Sequence, residues 1–479
     1  MAWLVADQTR RWPANPGARD DRVSLPLRIL LIAYAVPPSS DVGGSRITYF
    51  CKYLPEFGIQ PVILTVQNRF YKRLDHTFVV PPSIRVTRTP QHATPLEWYA
   101  NWKSRRIPAD SPKSLKAEGG PTAQKTYAAP TRGLRQHLLS VLSIPDQYWG
   151  WYLPATRTGR RLLQHTKFDA ILSTSPPHTD HLVGLSLKRK FQIPWIADFR
   201  DPWVTNEFLL SSPPKWRQRL DAQMEASCVK VADLVVCNTE WQQVVMCERY
   251  QKLPREKFVT ITNGFDDVEP PANLDLKKHK PLRCVHLGGI YQGRRIDTFC
   301  AALSILVKSQ KLDRDAVKVV FLGDTDESQI AACRQVASEL IDSGMIEFHQ
   351  RVDKEEASRF LWEADLLLVF QGGYRAQIPL KFYEYLLTGK PIFAVAQQGA
   401  LSDVITQTGV GVWAGEDDPY EIGEKFLLAL TLPAQPAEAV QRRWAERFHF
   451  RSLSRQLAKC IRELVDGQRG DQHGRSPTP

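Results

Sequence analysis

Lys381 and Glu384 stand three residues apart in the segment Ile378-Pro-Leu-Lys-Phe-Tyr-Glu-Tyr-Leu-Leu-Thr-Gly-Lys-Pro-Ile-Phe-Ala394. If the segment is helical, this cation and carboxylate share one face. Pro379 suits a first helical position, and Gly389 with Pro391 suits a stop, so the spacing predicts a helix of about three turns. Its ligand-facing side would carry Lys381, Glu384, Tyr385 and Thr388, and free N–H groups at its start would favour a phosphate. A solvated i,i+3 ion pair accounts for the same two residues without any ligand.

Other groups with chemical capacity also follow apolar runs of strand length. In Leu287-Gly-Gly-Ile-Tyr-Gln-Gly-Arg-Arg295 the glycines allow close backbone approach, and Arg294 and Arg295 offer planar bidentate donors that suit a diphosphate. A solvated turn with two surface arginines is the plainer alternative. Arg351 and Val352 follow a strand where backbone groups would receive a base. Earlier, Ser173-Thr-Ser-Pro-Pro-His-Thr-Asp180 brings His178 to a helix start, where an imidazole can orient or protonate a reacting oxygen. Ala197-Asp-Phe-Arg-Asp-Pro-Trp203 supplies Asp198, Arg200 and Asp201, read either as an internal charge network or as groups shaping an acceptor side. Gly43 and Gly44 open a loop after the first strand, and Arg46 just beyond is open to an anion or to solvent.

Positioning these residues requires alternating strands and helices. Leu27 to Ala35, a glycine-bearing loop, a helical pattern from Arg46 to Phe57 and the run Gln60 to Val66 form a β-α-β unit, which implies a parallel sheet. Strands at Ala170–Ser173, Trp195–Asp198, Leu234–Asn238 and Val259–Thr262 continue it, with helices from about Thr179 to Lys190 and from Lys215 to Lys230. Asp266 to Lys280 is polar and proline-bearing, a linker. A second series, Leu282–Leu287, Val317–Leu322, Ile346–His349, Leu366–Phe370 and Ile392–Val395, repeats the pattern. The fold class expected is α/β: two doubly wound, Rossmann-like domains facing a cleft, 25–266 and 267–435, with crossover helices in 436–465 returning to the first domain. Residues 1–24, 103–135 and 466–479 read as a disordered leader, a flexible segment and a frayed tail.

With 479 residues and 43% hydrophobic content the chain can build two packed cores. The net charge of +12 favours anionic partners. No apolar run approaches the roughly 20 residues of a membrane span, and the N-terminus lacks the apolar centre of a secretory signal. The 8 cysteines show no metal-ligand spacing and suit buried thiols in a reducing compartment. Tyr148, Trp149, Trp151 and Tyr152, near Arg157, Arg160 and Arg161, suit either a membrane-facing surface or ordinary packing.

The order of these motifs resembles the retaining, GT-B-fold glycosyltransferases of family four, especially bacterial members that build polysaccharides. The resemblance runs from about Leu27 to Phe426. It includes the Pro37-Pro38 to Gly43-Gly44 loop, Ser175-Pro-Pro-His178, Asp198-Phe-Arg-Asp-Pro-Trp203, Asn263-Gly-Phe-Asp266, Gly288 to Arg295, Ala364-Asp-Leu-Leu-Leu368 and Pro379-Leu-Lys-Phe-Tyr-Glu-Tyr385. It implies a nucleotide-diphosphate sugar as donor, with Glu384 on the ribose, Arg294 or Arg295 and Lys381 on the diphosphate, and the Arg351-Val352 turn on the base. His178 and the Gly43-Gly44 loop would face sugar and acceptor. It further implies transfer with retention of configuration, no cofactor or metal, and a saccharide or lipid-linked acceptor in cell-surface polysaccharide or glycolipid assembly. The place of action would be the cytoplasm, with peripheral contact at the membrane face and no nucleic acid as partner. One position departs from the family pattern: Ala376 stands where a first glutamate is usual, eight residues before Glu384. Tyr374, Arg375 or Gln377 would then stand in for it, or the donor differs. A catalytically silent nucleotide-sugar-binding partner and a sugar-nucleotide epimerase are the competing readings.

Overall fold

In the computed structural model, residues 26–94 and 141–473 are described, apart from 42, 77, 142, 206–212, 275–277 and 292. The expected leader at 1–24 and the segment 103–135 lie outside them.

The apolar runs become strands because each is covered on both faces. The first domain holds β1 (Leu27–Ile32), β2 (Ile59–Val66), β3 (Arg85–Thr89), β4 (Ala170–Ser175), β5 (Trp195–Phe199), β6 (Leu234–Cys237) and β7 (Phe258–Thr260). Their order in the sheet is β3-β2-β1-β4-β5-β6-β7, and every neighbouring pair is parallel. One face is covered by α1 (Gly43–Tyr53), the other by α2 (Tyr152–His165) and α3 (Thr179–Phe191), with α4 (Lys215–Val231) and α5 (Glu240–Arg249) completing the series. Cores lie on both sides of the sheet, which is why its central strands are almost wholly buried and largely apolar.

The second domain repeats the plan with β8 (Leu282–Leu287), β9 (Val317–Leu322), β10 (Ile346–His349), β11 (Leu366–Phe370), β12 (Ile392–Val395) and β13 (Gly411–Ala414) in the order β10-β9-β8-β11-β12-β13, again all parallel. Helices α6 (Ile296–Lys308), α7 (Glu327–Asp342), α8 (Lys354–Glu363), α9 (Leu380–Leu386), α10 (Ala400–Thr408) and α11 (Pro419–Thr431) wrap it. The strand order reverses between β1 and β4 and between β8 and β11. The crevices at these reversals, outside the carboxyl ends of the strands, are where such sheets hold ligands.

The chain crosses between the domains twice, and the two crossings are hydrogen-bonded to each other. Phe265 N–H donates to Phe448 O and Phe450 N–H to Phe265 O, both at 2.9 Å. Gly264 is required there, since a Cβ would lie 1.9 Å from Phe448 O. After α12 (Ala437–Phe448), helix α13 (Phe450–His473) returns to the first domain and buries Phe450, Leu453, Leu457, Ile461 and Val465 in its core.

Several expectations need correction. The crossover helix does not end at 465: its buried face stops at Val465, but exposed Arg469 donates to Asp169 Oδ1 at 2.9 Å, and helix persists to His473. Helix α9 has seven residues, about two turns rather than three. Two edge strands add to the expected set: β3, which is mostly polar, and β13, whose four-residue apolar run Gly411–Ala414 is only partly buried. Tyr148 and Trp151 serve packing: Trp151 is buried, its Nε1 donates to Thr89 Oγ1 at 2.7 Å, and Tyr148 lies 4.4 Å from the Tyr34 ring. All eight cysteines are free, and among the described residues no helix is long and apolar enough to cross a membrane.

Candidate active site

Strand β8 ends at Leu287, and the chain then turns on Gly288, whose φ of +123° is costly for any residue with a Cβ. A Cβ at Gly288 would also lie 2.7 Å from Lys381 Cε, so the lysine stem crosses directly over the glycine. Arg294 closes the same loop, its Nη1 donating to Gly289 O at 2.7 Å and its Nη2 to Tyr291 Oη at 2.9 Å. Its guanidinium lies over the Tyr291 ring at 4.3 Å. Two cations thus converge on a bare glycine backbone at the β8/β11 reversal. Gly372, after β11, completes the floor, where a Cβ would meet Gly293 O at 1.9 Å.

Arg295 does not share this place. Its Nε pairs with Asp297 at 3.1 Å and its Nη1 approaches Asp417 at 3.7 Å, so of the two candidate arginines Arg294 belongs to the loop. The Lys381 and Glu384 side chains are 3.6 Å apart and partly exposed. Tyr385 and Thr388, expected on the same face, point inward: Leu287 N–H donates to Tyr385 Oη at 2.8 Å, and Thr388 Oγ1 donates to Tyr385 O at 2.8 Å. The short helix accounts for Thr388, which lies in the turn after it, while Tyr385 sits within the helix on its buried side. Beneath the loop, His286 is neutral, held down to about 3 by burial and by the charges of Arg294 and Lys381. Arg351 is exposed and Val352 half-buried in the stretch between β10 and α8, two strands out from β8 in the sheet.

Across the cleft, Gly43 and Gly44 are the first residues of α1, and a Cβ on Gly43 would sit 2.1 Å from Arg200 Nη1. The glycine therefore lets the Arg200 guanidinium lie against the helix start. Arg200 Nη2 reaches Pro176 O at 3.4 Å and Asp201 at 3.7 Å. His178 precedes α3 with its ring stacked on Trp203, 4.4 Å between centroids and 2° between planes. Burial, together with the charges of His181, Arg200 and Arg217, holds its pKa well below the ordinary imidazole value. His178 is therefore a neutral ring, and its buried Nδ1 has no partner among the described residues. Glu384 is close enough to the first domain that, after burial and Asp266, its charge helps push the Tyr49 phenol of α1 up to about 12.

Asp198 is held away from the cleft. Arg46 grips it through Nε at 3.1 Å and Nη2 at 2.9 Å, Thr174 Oγ1 donates at 2.8 Å, and both charged side chains are almost fully buried. Arg46 also donates to Ile261 O and Thr262 O at 2.8 and 2.6 Å, tying α1 to the segment after β7. Arg46 thus meets neither an anionic ligand nor solvent, because its whole fork is consumed inside the domain. Asp201 faces the other way, accepting from Gln377 Nε2 of the second domain at 2.9 Å. In the segment of the departure, Tyr374 is buried and Arg375 Nε donates to Gln397 Oε1 at 2.9 Å. Among the described residues, one cluster has metal-ligating groups, Asp266, Asp267 and His449 at the domain crossing, and there the Lys52 ammonium already lies 2.6 Å from Asp266.

With this geometry in place, the class of protein can be stated: a two-domain GT-B fold, whose candidate site lies between the carboxyl ends of two parallel sheets. More particularly, the profile of Glycosyltransferase Family 4 matches residues 117–269, and the chain is family-four-like. None of the curated proteins compared matches it by sequence. Among solved structures, it is similar to a sucrose-phosphate synthase from Thermosynechococcus elongatus, with TM-score 0.62 and 16% identity, covering 92% of this chain and 100% of that one. Anabaena HepE in complex with UDP-glucose gives TM-score 0.56 and 13% identity over 91% and 100% of the two chains. An α,α-trehalose-6-phosphate synthase from Burkholderia multivorans gives 0.58 and 10% over 95% and 100%. At these identities the likeness is one of fold.

Proposed function

We propose that the protein is a glycosyltransferase that moves a sugar from a nucleotide-diphosphate donor to a saccharide or lipid-linked acceptor. The observation that carries this reading is the convergence of Lys381 and Arg294 on the Gly288-Gly289 backbone, with Glu384 one turn along α9. Cations over a bare backbone suit a diphosphate, and a carboxylate beside them suits a pair of ribose hydroxyls. The base would lie outward, at Arg351 and Val352. The ligands bound in Anabaena HepE, UDP-glucose, and in an E. coli trehalose-6-phosphate structure, UDP-2-fluoro glucose, support a uridine-type donor.

In this reading the donor C1–O bond to the diphosphate breaks as the acceptor oxygen bonds to C1 on the same face. The acceptor proton passes to the departing phosphate oxygen, and configuration is retained. Lys381 and Arg294 take up the charge that develops on the diphosphate, so that no metal is needed. His178, neutral and held flat by Trp203, orients a sugar hydroxyl, while the Gly43 edge with Arg200 shapes the acceptor side. The setting would be cell-surface polysaccharide or glycolipid assembly in the cytoplasm, in contact with the membrane face.

Incubation with a panel of nucleotide sugars and lipid-linked or saccharide acceptors, followed by mass spectrometry, tests the proposal. A glycosylated product with the donor anomeric configuration is the expected result. Ala376 at the usual place of a carboxylate favours a second reading, a silent nucleotide-sugar-binding partner, and donor binding with no transfer or hydrolysis across the panel would select it.

A further inference from the structure

The segment 371–379, where the family pattern departs, is the part of the second domain that touches the first domain's Asp-Phe-Arg-Asp motif. Gln377, 9% exposed, donates from Nε2 to Asp201 Oδ1 at 2.9 Å. Thr239, just before α5, donates from Oγ1 to Ala376 O at 2.6 Å. Two residues on, Trp241 of the first domain packs against the second domain's core and donates from Nε1 to Asp403 Oδ2 at 2.7 Å. The receiving segment is itself braced: Gln371 Nε2 donates to Tyr374 O at 2.8 Å and to Gln377 O at 2.7 Å. The two covalent crossings, at Phe265 and Phe448 to Phe450, are joined by backbone hydrogen bonds of their own. The domains are therefore linked by a sewn crossing and by a second, noncovalent set of contacts.

We propose that Gln377 and Thr239 form an interdomain latch that holds the cleft closed and fixes the first-domain groups Arg200 and His178 relative to the Gly288 loop. Asp201 is the receiving post: it lies beside Arg200, and Arg200 lies against Gly43, so closing the latch sets the acceptor edge. An alanine at 376 suits this arrangement because the contact uses its carbonyl, leaving Gln377 to supply the side-chain half. Gln377 is thus a positioning residue, acting through Asp201 rather than on the reacting atoms. Only the kinetic consequence of this inference rests on the glycosyltransferase reading, since the latch is a property of the two domains.

The test is a charge introduction with rescue. Gln377→Glu sets a carboxylate against the Asp201 carboxylate, and Gln377→Glu with Asp201→Asn restores a donor–acceptor pair in the opposite sense. Hydrogen–deuterium exchange on the full chain should show residues 371–379 and the start of α5 exchanging at least about tenfold faster in the single variant, with an increased radius of gyration by small-angle X-ray scattering. Both should return towards wild type in the double variant. Calorimetry with UDP should change by less than about threefold in both, because the second domain's cations are untouched, whereas turnover should fall more than about tenfold in the single variant and recover in the double. Wild-type exchange and scattering in Gln377→Glu, or no recovery in the double variant, overturns the latch. A wild-type protein that transfers no sugar overturns the functional proposal instead, and leaves the exchange result standing.

Discussion

Removing the Lys381 ammonium separates the site from an ordinary surface helix more sharply than any other single change. The structure sets the size of the effect. Lys381 and Glu384 form a partly exposed i,i+3 pair at 3.6 Å, and such pairs contribute only about 0.3–0.5 kcal/mol. Lys381→Ala should therefore leave the melting transition nearly unchanged. A hydrogen bond to a charged group contributes about 1.5–3 kcal/mol, which is about ten- to 150-fold in affinity. Lys381→Ala should weaken UDP binding by that factor in titration calorimetry. Arg294→Ala should cost at least as much, since it also frees the Gly289 carbonyl and the Tyr291 hydroxyl. Arg295→Ala, whose partners are Asp297 and Asp417, should change affinity by less than about twofold. If Lys381→Ala binds UDP as wild type does, or Arg295→Ala weakens it as much as Arg294→Ala, the diphosphate does not lie on the Gly288 loop.

Three further outcomes are expected. Asp198→Ala strands the Arg46 guanidinium in the interior and should destabilise the protein by about 3–5 kcal/mol in urea unfolding, with the double variant Asp198→Ala/Arg46→Met less unstable than the single one. Gly43→Ala would set a Cβ 2.1 Å from Arg200 Nη1, displacing that side chain, and should raise the KM for acceptor while UDP affinity stays unchanged. His286, at about 3 when folded and about 6.5 when unfolded, takes up its proton in the unfolded chain first, so its contribution to stability is complete above pH 6.5 and is lost as pH falls towards 3. Between pH 7 and 5 that loss is about 2 kcal/mol. His286→Asn keeps a donor for Leu368 O but does not titrate, so its stability should fall less steeply over this interval. Asp180, raised by burial, has the opposite sign, gaining stability as pH falls, and is common to both proteins. Equal slopes for His286→Asn and wild type would contradict the buried neutral imidazole.

The second domain's central strands were readable almost to the residue, because a strand buried on both faces needs an unbroken apolar run and little else produces one. Edge strands β3 and β13 carry no such mark: β3 is Arg-Val-Thr-Arg-Thr without an apolar run, and the apolar run of β13 is only four residues long between glycine-bearing turns. The site divided along the same line. Glycines after β8 and the Lys381–Glu384 spacing are local features, legible because a turn and a helix face are decided within a few residues. Whether Arg294 or Arg295 enters the loop depends on Asp297 and Asp417, which compete for the second guanidinium.

The sequence alone determined the two parallel sheets, their connection and the kind of ligand the cleft suits, because strand burial, glycine turns and clustered cations are encoded over short stretches of chain. Tertiary structure alone decided which charges are free to act. Asp198 and Asp201 are three residues apart in one motif, yet one is consumed by Arg46 inside the first domain and the other meets Gln377 across the cleft. No local pattern separates them, because the environment of a charge is set by residues more than 150 positions away that the fold brings within hydrogen-bond reach.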